Sequence, residues 1–382
     1  MVRMDQENSC PCSNLPIRSQ RNKGVWMSGA QHEALRALEQ SFGDRVKRGP
    51  VRADEPSTEG TLASVLPMDA EEVRLLAEVA GRYSVPLVAL GGETTADAAA
   101  QKGSILVRFD LMRRTRLPDA DEPWAEAEPG ASWLQLDDEL RLLGSGLAVY
   151  PTSAPRATVG GWLATDGLGV GSYEYGWLSE NVLLASVVLA GGELVEVGGQ
   201  EVRSFVGPEA AGIVVGAKLR TRRADADVPF GAAFESADEL TCAVAGIVER
   251  GLPLWHLAFL NPGMADARNL GEIFLLFGAY PAERAGEIEG GLRSVVTSCE
   301  GRTLSAAEAH RAWGERFFPV TPSVVSPRFL GVSRGLVPLA EIPEKLSGVE
   351  DRSGSAAVQG TVARSREVLL LTLEDHEESS AR

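Results

Sequence analysis

The sequence has few cysteines and histidines, which limits the metal and redox sites it can build. Four Cys and four His occur in 382 residues. No cysteine belongs to the CxxC or CxxCxxC patterns that zinc and iron–sulfur sites use. The Cys10-Pro-Cys12 pair is either a metal-binding pair or, as its polar N-terminal setting favours, part of a loose tail. We therefore expect a reducing compartment and no disulfide framework.

Long apolar runs and excess positive charge are also lacking. No segment approaches the ~18 consecutive apolar residues that cross a bilayer, and the N-terminus has no apolar signal-peptide core. Lys and Arg total 37 against 53 Asp and Glu, a net charge of -16 that repels nucleic acid and anionic lipid. We expect a cytoplasmic protein that neither spans a membrane nor binds nucleic acid. Any anion site must be built locally from Arg side chains or backbone amides.

The length and the patterning predict two globular domains. Residues 1–56 have the pattern of a tail and a lead-in helix around Glu33–Phe42, and Asp69 is the expected N-cap of a second helix. A glycine-rich region then continues to a charged linker, Arg-Arg-Ala-Asp-Ala-Asp, so the first domain is placed at residues 57–224.

Residues 225–373 alternate predicted strands and helices. The strands are expected at Phe230–Glu235, Leu254–Leu260 and Ile273–Ala279, with helices opened by Ser236 and spanning Glu283–Ser298. A repeated β-α-β pattern of this kind is typical of a ferredoxin-like α+β layer. Residues 374–382 are predicted to be an acidic, solvated tail.

Two glycine-rich segments carry the first functional signal. Residues 90–95, LGGETT, follow a predicted strand and can turn N–H groups toward one point, which suits a pyrophosphate, although an ordinary tight turn has the same pattern. Residues 158–177, TVGGWLATDGLGVGSYEYGW, have small side chains that let a flat ligand approach the backbone. A packed glycine-rich turn is the alternative, and we favour cofactor contact.

Taken in order, these segments and their neighbours resemble the FAD-binding domain of p-cresol methylhydroxylase and vanillyl-alcohol oxidase type flavoproteins. The motifs that carry the resemblance are Val85–Thr95, Ala127–Gly130, Pro151–Ser153, Thr158–Gly161, Thr165–Gly167, Ser172–Gly176, Val187–Glu193 and Glu209–Ile213. The match covers residues 57–224. It implies an α+β fold in which a PCMH-type FAD-binding domain of two α+β subdomains precedes a ferredoxin-like α+β cap domain.

The resemblance also implies which residues contact FAD. These are Gly91, Gly92, Thr94 and Thr95 for the pyrophosphate, Thr158, Gly160 and Gly161 for the flavin end, and Pro151, Gly167, Ser172, Tyr175, Gly176, Gly212 and Ile213 for the remaining contacts. Two departures from the family pattern should weaken binding: Glu93 replaces a glycine, and Pro208–Ala211 replaces an acidic-Gly-Thr-Leu segment. Because the first loop contains no His or Cys, we expect non-covalent FAD.

The predicted cap domain supplies the candidates for chemistry. Residues 310–319, HRAWGERFFP, resemble the W-x-x-RF-x-P segment in the cap of glycolate oxidase and D-lactate dehydrogenase-like flavoenzymes. The resemblance makes Arg316 and Arg311 candidates for binding a substrate carboxylate, because a guanidinium pairs two oxygens at once; surface ion pairing is the alternative. His310 is a candidate base, whereas His256 lies in an apolar strand and is expected to be a core residue.

Residues 354–373 lack the histidines that hold zinc in metal-using relatives, so no metal site is expected. We predict an FAD-dependent oxidoreductase that resembles the FAD-binding subunit of glycolate oxidase. It would oxidise a small 2-hydroxy acid by hydride transfer to flavin N5 and pass electrons to a partner subunit or another acceptor. The alternatives are a non-catalytic flavoprotein-fold subunit with a structural or regulatory role, and an FAD oxidase of an alcohol, amine or sugar.

Overall fold

The computed structural model describes residues 28–49, 60–92, 102–117, 122–224, 226–319, 329–346 and 356–375. Within these residues the strands form three sheets. Two sheets lie before residue 224, and the third is built from residues 227–375. The structure therefore mixes helices with sheets throughout, as the predicted α+β class requires. None of the described helices is long and apolar enough to cross a membrane.

The first sheet is small and mainly parallel. Its elements are α1 (Gly29–Phe42), β1 (Val46–Arg48), β2 (Ala63–Val65), α2 (Ala70–Tyr83), β3 (Leu87–Leu90) and β4 (Ile105–Arg108). The strand order is β1-β2-β4-β3, and β4 pairs in parallel with both β2 and β3. The predicted cap at Asp69 is confirmed, since its side chain accepts the Glu72 N–H at 2.9 Å. The apolar stripe of α2 packs on this sheet, and β3 delivers Leu90 and the following glycines to its C-terminal edge.

The second sheet is antiparallel and forms the other half of the first domain. Its elements are β5 (Thr115–Arg116), β6 (Trp124–Ala127), α3 (Trp133–Arg141), β7 (Ser145–Leu147), α4 (Val159–Leu163), α5 (Ser172–Tyr175), β8 (Val182–Val188), β9 (Leu194–Gly198) and β10 (Ile213–Arg223). The strand order is β5-β6-β10-β8-β9, with β7 also paired to β10. The predicted hairpin is confirmed: Val188 pairs with Leu194, and Gly192 between them has a φ of 84° that favours glycine.

The third sheet carries the cap. Its elements are β11 (Asp227–Phe234), α6 (Ala237–Glu249), β12 (His256–Leu260), α7 (Pro262–Ala267), β13 (Phe274–Pro281), α8 (Ala285–Ser298), β14 (Arg302–Thr303), α9 (Ala306–Gly314), β15 (Phe329–Pro338), β16 (Ala357–Val362) and β17 (Glu367–Asp375). The order is β14-β11-β13-β12-β16-β17-β15. Counted from β11, the first four strands stand in the order 4-1-3-2 of a ferredoxin-like sheet.

The two faces of the cap sheet have different neighbours. Leu257 and Phe259 of β12 belong to the apolar core that includes α6 and α8. The intervening residues Ala258 and Leu260 point to the opposite face, where α7 and α9 pack. Ala279 of β13, which pairs with His256, belongs to the apolar core around the second sheet. The face that carries His256 and Ala258 therefore contacts the first domain.

One expectation drawn from the sequence is wrong. Cys242 on α6 and Cys299 after α8 form a disulfide, so the chain does contain a disulfide. Their sequence separation of 57 residues concealed a pairing that the packing of the two helices creates. The two ends of the charged segment predicted near residue 224 lie in β10 and β11. There Arg222 and Asp227 are 4% and 8% exposed and form an ion pair of 2.6 Å.

Candidate cofactor and substrate sites

The end of β3 meets the start of α4 at close range. A Cβ atom on Gly91 would lie 2.7 Å from the Gly161 Cα, which is too close for any side chain. A Cβ on Gly160 would lie 2.7 Å from Cβ of Pro129. The Thr158 hydroxyl caps α4 by accepting the Gly161 N–H at 3.3 Å. Glycine is thus required at these points so that two backbone segments can approach.

A cavity of about 170 Å³ opens beside this contact, and we call it the glycine cleft. Its lining is Ala89, Leu90, Gly91, Phe109, Gly160, Gly161, Ala164, Phe205, Gly207, Pro208, Ala210, Gly212, Ile213 and Val214. Five of the predicted FAD contacts meet here, namely Gly91, Gly160, Gly161, Gly212 and Ile213. Two residues of the unusual Pro208–Ala211 segment line the same cleft, so that departure from the family pattern falls directly on it.

The N–H groups at the start of α4 already have partners in the protein. Val159 donates to the Ala131 carbonyl and Gly160 to the Pro129 carbonyl, both at 2.8 Å. The Gly161 N–H is taken by Thr158. These glycines therefore offer a bound cofactor space and van der Waals contact rather than hydrogen-bond donors.

Three other predicted contacts lie in a second, larger cavity. Ser172, Tyr175 and Gly176 line a space of about 540 Å³ between α5 and the turn that joins β16 to β17, where Arg364 stands. We call it the junction cavity. The Ser172 hydroxyl is occupied by the Gly169 N–H at 2.8 Å. The structure therefore divides the predicted FAD residues between two cavities.

The remaining predicted contacts lie beside these cavities or outside the described residues. Gly92 follows Gly91 at the cleft, and Pro151 is buried, with its Cα close to Gly169. Gly167 has a φ of 145°, a backbone conformation that favours glycine. In the sequence it lies between residues that line the glycine cleft and residues that line the junction cavity. Thr94 and Thr95, together with Glu93, lie outside the described residues.

The candidate substrate-binding residues of the cap lie in different environments. Arg316 is half-buried, donates from Nε to the Tyr150 hydroxyl at 3.1 Å, and lies 4.2 Å from the Phe317 ring centroid. Arg311 and His310 lie on α9 with exposed side chains, and the structure does not bring them to Arg316. Of the three predicted substrate residues, Arg316 alone sits at the junction between the two domains.

Arg316 belongs to a group of polar side chains that contiguous motifs did not reveal. We call it the cap cluster, and it consists of Tyr150, His256, Arg268, Arg316, Gln359 and Thr361. Gln359 links the two arginines: its Oε1 accepts from Arg268 at 2.8 Å and its Nε2 donates to the Arg316 carbonyl at 2.9 Å. The signal available in the sequence was weak: Gln359 and Thr361 alternate as polar residues along an otherwise apolar strand.

Burial sets the protonation of the cap cluster. His256 is fully buried, and burial, followed by the charge of Arg316, lowers its pKa to about 3. Burial also lowers the pKa of Arg268 to about 10, although nearby Glu315 opposes the shift. At neutral pH the cluster therefore holds a neutral imidazole and two cationic guanidinium groups.

The glycine cleft fits part of a flat, extended cofactor such as FAD. Glycine, alanine and apolar side chains form its walls, and at Gly91 and Gly160 any Cβ would meet backbone or proline atoms. No His or Cys occurs among the residues that line it. In the described ranges no group of three His, Cys, Asp or Glu side chains could hold a metal ion.

Comparison with known proteins supports this assignment. Residues 61–198 match the family described as FAD binding domain. The chain is 30% identical over 156 residues to a mitochondrial D-lactate dehydrogenase of Arabidopsis thaliana, an alignment that spans 40% of this chain but 27% of that protein. It is 25% identical to an FAD-linked oxidoreductase of Mycobacterium tuberculosis over 72% of this chain and 70% of the relative. A D-2-hydroxyglutarate dehydrogenase of Escherichia coli is 33% identical across 35% of this chain and 14% of that enzyme.

Solved structures show the same fold over nearly the whole chain. p-Cresol methylhydroxylase with substrate bound superposes with a TM-score of 0.74, 17% identity, and coverage of 94% of this chain and 85% of that one. An alkyldihydroxyacetonephosphate synthase superposes with a TM-score of 0.72, 17% identity, and coverage of 91% and 79%. Residues 61–198 are therefore an FAD binding domain, which makes FAD the cofactor, and the chain has the fold of p-cresol methylhydroxylase.

Proposed function

We propose that this protein oxidises a small 2-hydroxy acid to the 2-oxo acid with FAD as the hydride acceptor. The observation that carries the proposal is the position of Arg316. Its guanidinium lies at the junction of the FAD-binding domain and the cap, and it has no carboxylate partner among the described residues. A half-buried cation without a counter-ion is suited to a carboxylate ligand.

Different residues of this chain would bind FAD and the substrate. The glycine cleft would hold part of FAD through close backbone approach, and Ser172, Tyr175 and Gly176 would contact it from the junction cavity. When bound, FAD supplies a two-electron acceptor at N5. Arg316 would hold the substrate carboxylate, and the rings of Trp313 and Phe317 beside it would limit water. The substrate would lose a hydride from C2 and release its hydroxyl proton to water.

The curated relatives favour the same substrate class. D-Lactate and D-2-hydroxyglutarate dehydrogenases act, by their names, on 2-hydroxy acids, and the alignments with three of them cover 35–40% of this chain. FAD would be held without a covalent bond, because the glycine cleft offers no His or Cys. Acid precipitation should then release all flavin to the supernatant.

Anaerobic flavin bleaching tests the proposal. FAD-loaded protein is mixed with glycolate, each lactate enantiomer and D-2-hydroxyglutarate, and with propanol, propylamine and glucose as substrates of the competing classes. We expect bleaching with at least one 2-hydroxy acid, slowed at least tenfold by Arg316→Lys, because lysine lacks the planar fork. Arg293→Lys, on the exposed side of α8, is the matched control.

Other outcomes would redirect the assignment. Bleaching by an alcohol, amine or sugar alone would establish the second enzyme class. Protein that takes up FAD but is bleached by none of the compounds would favour a structural or regulatory subunit.

A further inference from the structure

His256 has a fixed tautomer with an unused donor. The Gly171 N–H donates to its Nδ1 at 3.3 Å. A backbone N–H cannot accept a hydrogen bond, so Nδ1 carries the lone pair and Nε2 carries the hydrogen of the neutral ring. The His256 Nε2 atom is buried and has no hydrogen-bond partner among the residues that the structure describes. The imidazole therefore presents an unsatisfied N–H donor inside the protein rather than a proton acceptor.

Thr361 adds a second unsatisfied group on the same sheet face. Its Cα is paired across β12 and β16 with Ala258, two residues from His256, so the three side chains share one face. The Thr361 hydroxyl is fully buried, and within the described part of the chain it has no hydrogen-bond partner. An unsatisfied buried polar atom costs free energy, and two on one face that also carries cations indicate a missing ligand.

The charge beside these two groups defines the missing ligand. Arg268 is 9% exposed and donates to the Glu315 carbonyl and to Gln359, which are neutral acceptors. Arg316 donates to the Tyr150 hydroxyl and the Trp313 carbonyl, which are neutral as well. In a chain of net charge -16, two buried or half-buried cations without ion pairs in the described residues indicate an anionic ligand.

We infer that the His256 Nε2–H, the Thr361 hydroxyl and the Arg316 guanidinium form one carboxylate-binding subsite, with Arg268 and Gln359 as positioning residues. The inference rests on the proposed function, in which this carboxylate belongs to the 2-hydroxy acid. It adds that the neutral donors come from the cap sheet and that His256 binds the substrate as a donor and is not its base. A small carboxylate suits the subsite because aromatic rings flank it, with Trp313 5.7 Å from the His256 ring.

Oxalate is the probe for this subsite because it is a small carboxylate that cannot be oxidised by hydride loss from carbon. The FAD-loaded full chain is titrated with oxalate while tryptophan emission is followed, since Trp313 touches both His256 and Arg316. His256→Phe removes the donor and keeps a ring; His256→Gln keeps an amide N–H; Thr361→Val removes the hydroxyl at nearly constant volume. His32→Gln, on the exposed surface of α1, is the matched control.

We expect oxalate to bind roughly tenfold more weakly to His256→Phe and several-fold more weakly to Thr361→Val, as for a lost hydrogen bond to a charged ligand. His256→Gln should recover most of the affinity. The ratio of wild-type to His256→Phe affinity should stay constant from pH 6 to 9, because the ring remains neutral. If His256→Phe does not fold, Thr361→Val carries the test.

Three results would overturn the subsite. They are wild-type oxalate affinity in both His256→Phe and Thr361→Val, failure of the wild type to bind oxalate, and an affinity ratio that changes tenfold across this pH range. If 2-hydroxy acids bleach the flavin while the variants bind oxalate normally, the subsite is wrong and the proposed function stands. If the variants lose oxalate but no 2-hydroxy acid is oxidised, the subsite stands and the proposed function is wrong.

Discussion

The glycine cleft and the cap cluster differ in the chemical groups that form them. The glycine cleft is lined by backbone and small or apolar side chains of residues 89–214, and its hydrogen-bonding groups at α4 are already satisfied. The cap cluster is made of polar side chains from both domains, and two of its atoms lack hydrogen-bond partners in the described ranges. The first region offers shape to a large cofactor, whereas the second offers charge and donors to a small anion.

This difference explains why a sequence motif marks the glycine cleft but not the cap cluster. A site made by close backbone approach needs glycine at fixed neighbouring positions, which a contiguous motif records. A site made by side chains needs one residue from each of several elements. Tyr150, His256 and Thr361 come from three separate segments, so no local pattern joins them.

The largest expected effect tests the shape of the glycine cleft. Gly161→Trp should abolish FAD uptake, because a Cβ at this position already lies 3.1 Å from the Thr158 hydroxyl and 3.4 Å from the Gly91 Cα. Flavin absorbance per mole of purified protein measures the loss. Gly290→Trp, where an added Cβ meets nothing within 4 Å, is the matched control and should retain full flavin. Normal flavin content in Gly161→Trp would place FAD elsewhere.

The next effect concerns the ion pairs that join the two domains. Asp227 accepts from Arg222 and Arg141, at 2.6 and 3.1 Å. Asp227→Asn leaves the buried Arg222 without its carboxylate, whereas Arg141 keeps Asp137 at 2.8 Å. We expect a loss of about 3–5 kcal/mol in the free energy of unfolding at pH 7, measured by urea denaturation. Glu196→Gln on the exposed side of β9 is the control. Equal stability of Asp227→Asn and wild type would show that the pairs add nothing.

The same ion pairs give a pH dependence of known sign. Burial alone would raise the pKa of Asp227, but the hydrogen bonds and charge of Arg222 and then Arg141 outweigh it and lower the pKa. The carboxylate therefore contributes stability fully above its unfolded pKa near ~3.9, and this contribution is lost as the pH falls through the folded pKa. The stabilities of wild type and Asp227→Asn should converge in acid.

Removing the disulfide should cause a smaller loss of stability, confined to the cap. Cys242→Ser opens a 57-residue loop and should cost about 2–4 kcal/mol, seen as a lower Tm, while FAD content stays unchanged. Dithiothreitol should lower the wild-type Tm to that of the variant. A wild-type Tm that does not respond to reductant would mean that the bond does not form in the purified protein.

The smallest effect separates helix capping from cofactor binding at Thr158. Thr158→Val removes the hydroxyl that accepts the Gly161 N–H and should cost about 1 kcal/mol of stability. If the hydroxyl only caps α4, FAD affinity should change less than threefold, as measured by flavin titration. Thr303→Val, on the exposed strand β14, controls for the substitution itself. A tenfold loss of FAD affinity would give the hydroxyl a direct role at the cofactor.

The local structure and the cofactor could be predicted from the amino-acid sequence. The N-caps at Asp69 and Ser236 and the hairpin at Gly192 depend on neighbouring residues, so pattern and composition were sufficient to predict them. The ordered glycine motifs identified an FAD-binding fold for the same reason. Features that depend only on neighbouring residues can be predicted from the sequence.

Two further features appear only in the tertiary structure. Cys242 is joined to Cys299, and His256 and Thr361 lie on the same face of the cap sheet. Each depends on distances between residues far apart in the chain. Strand register and helix packing set those distances, and neither is recorded in any one segment.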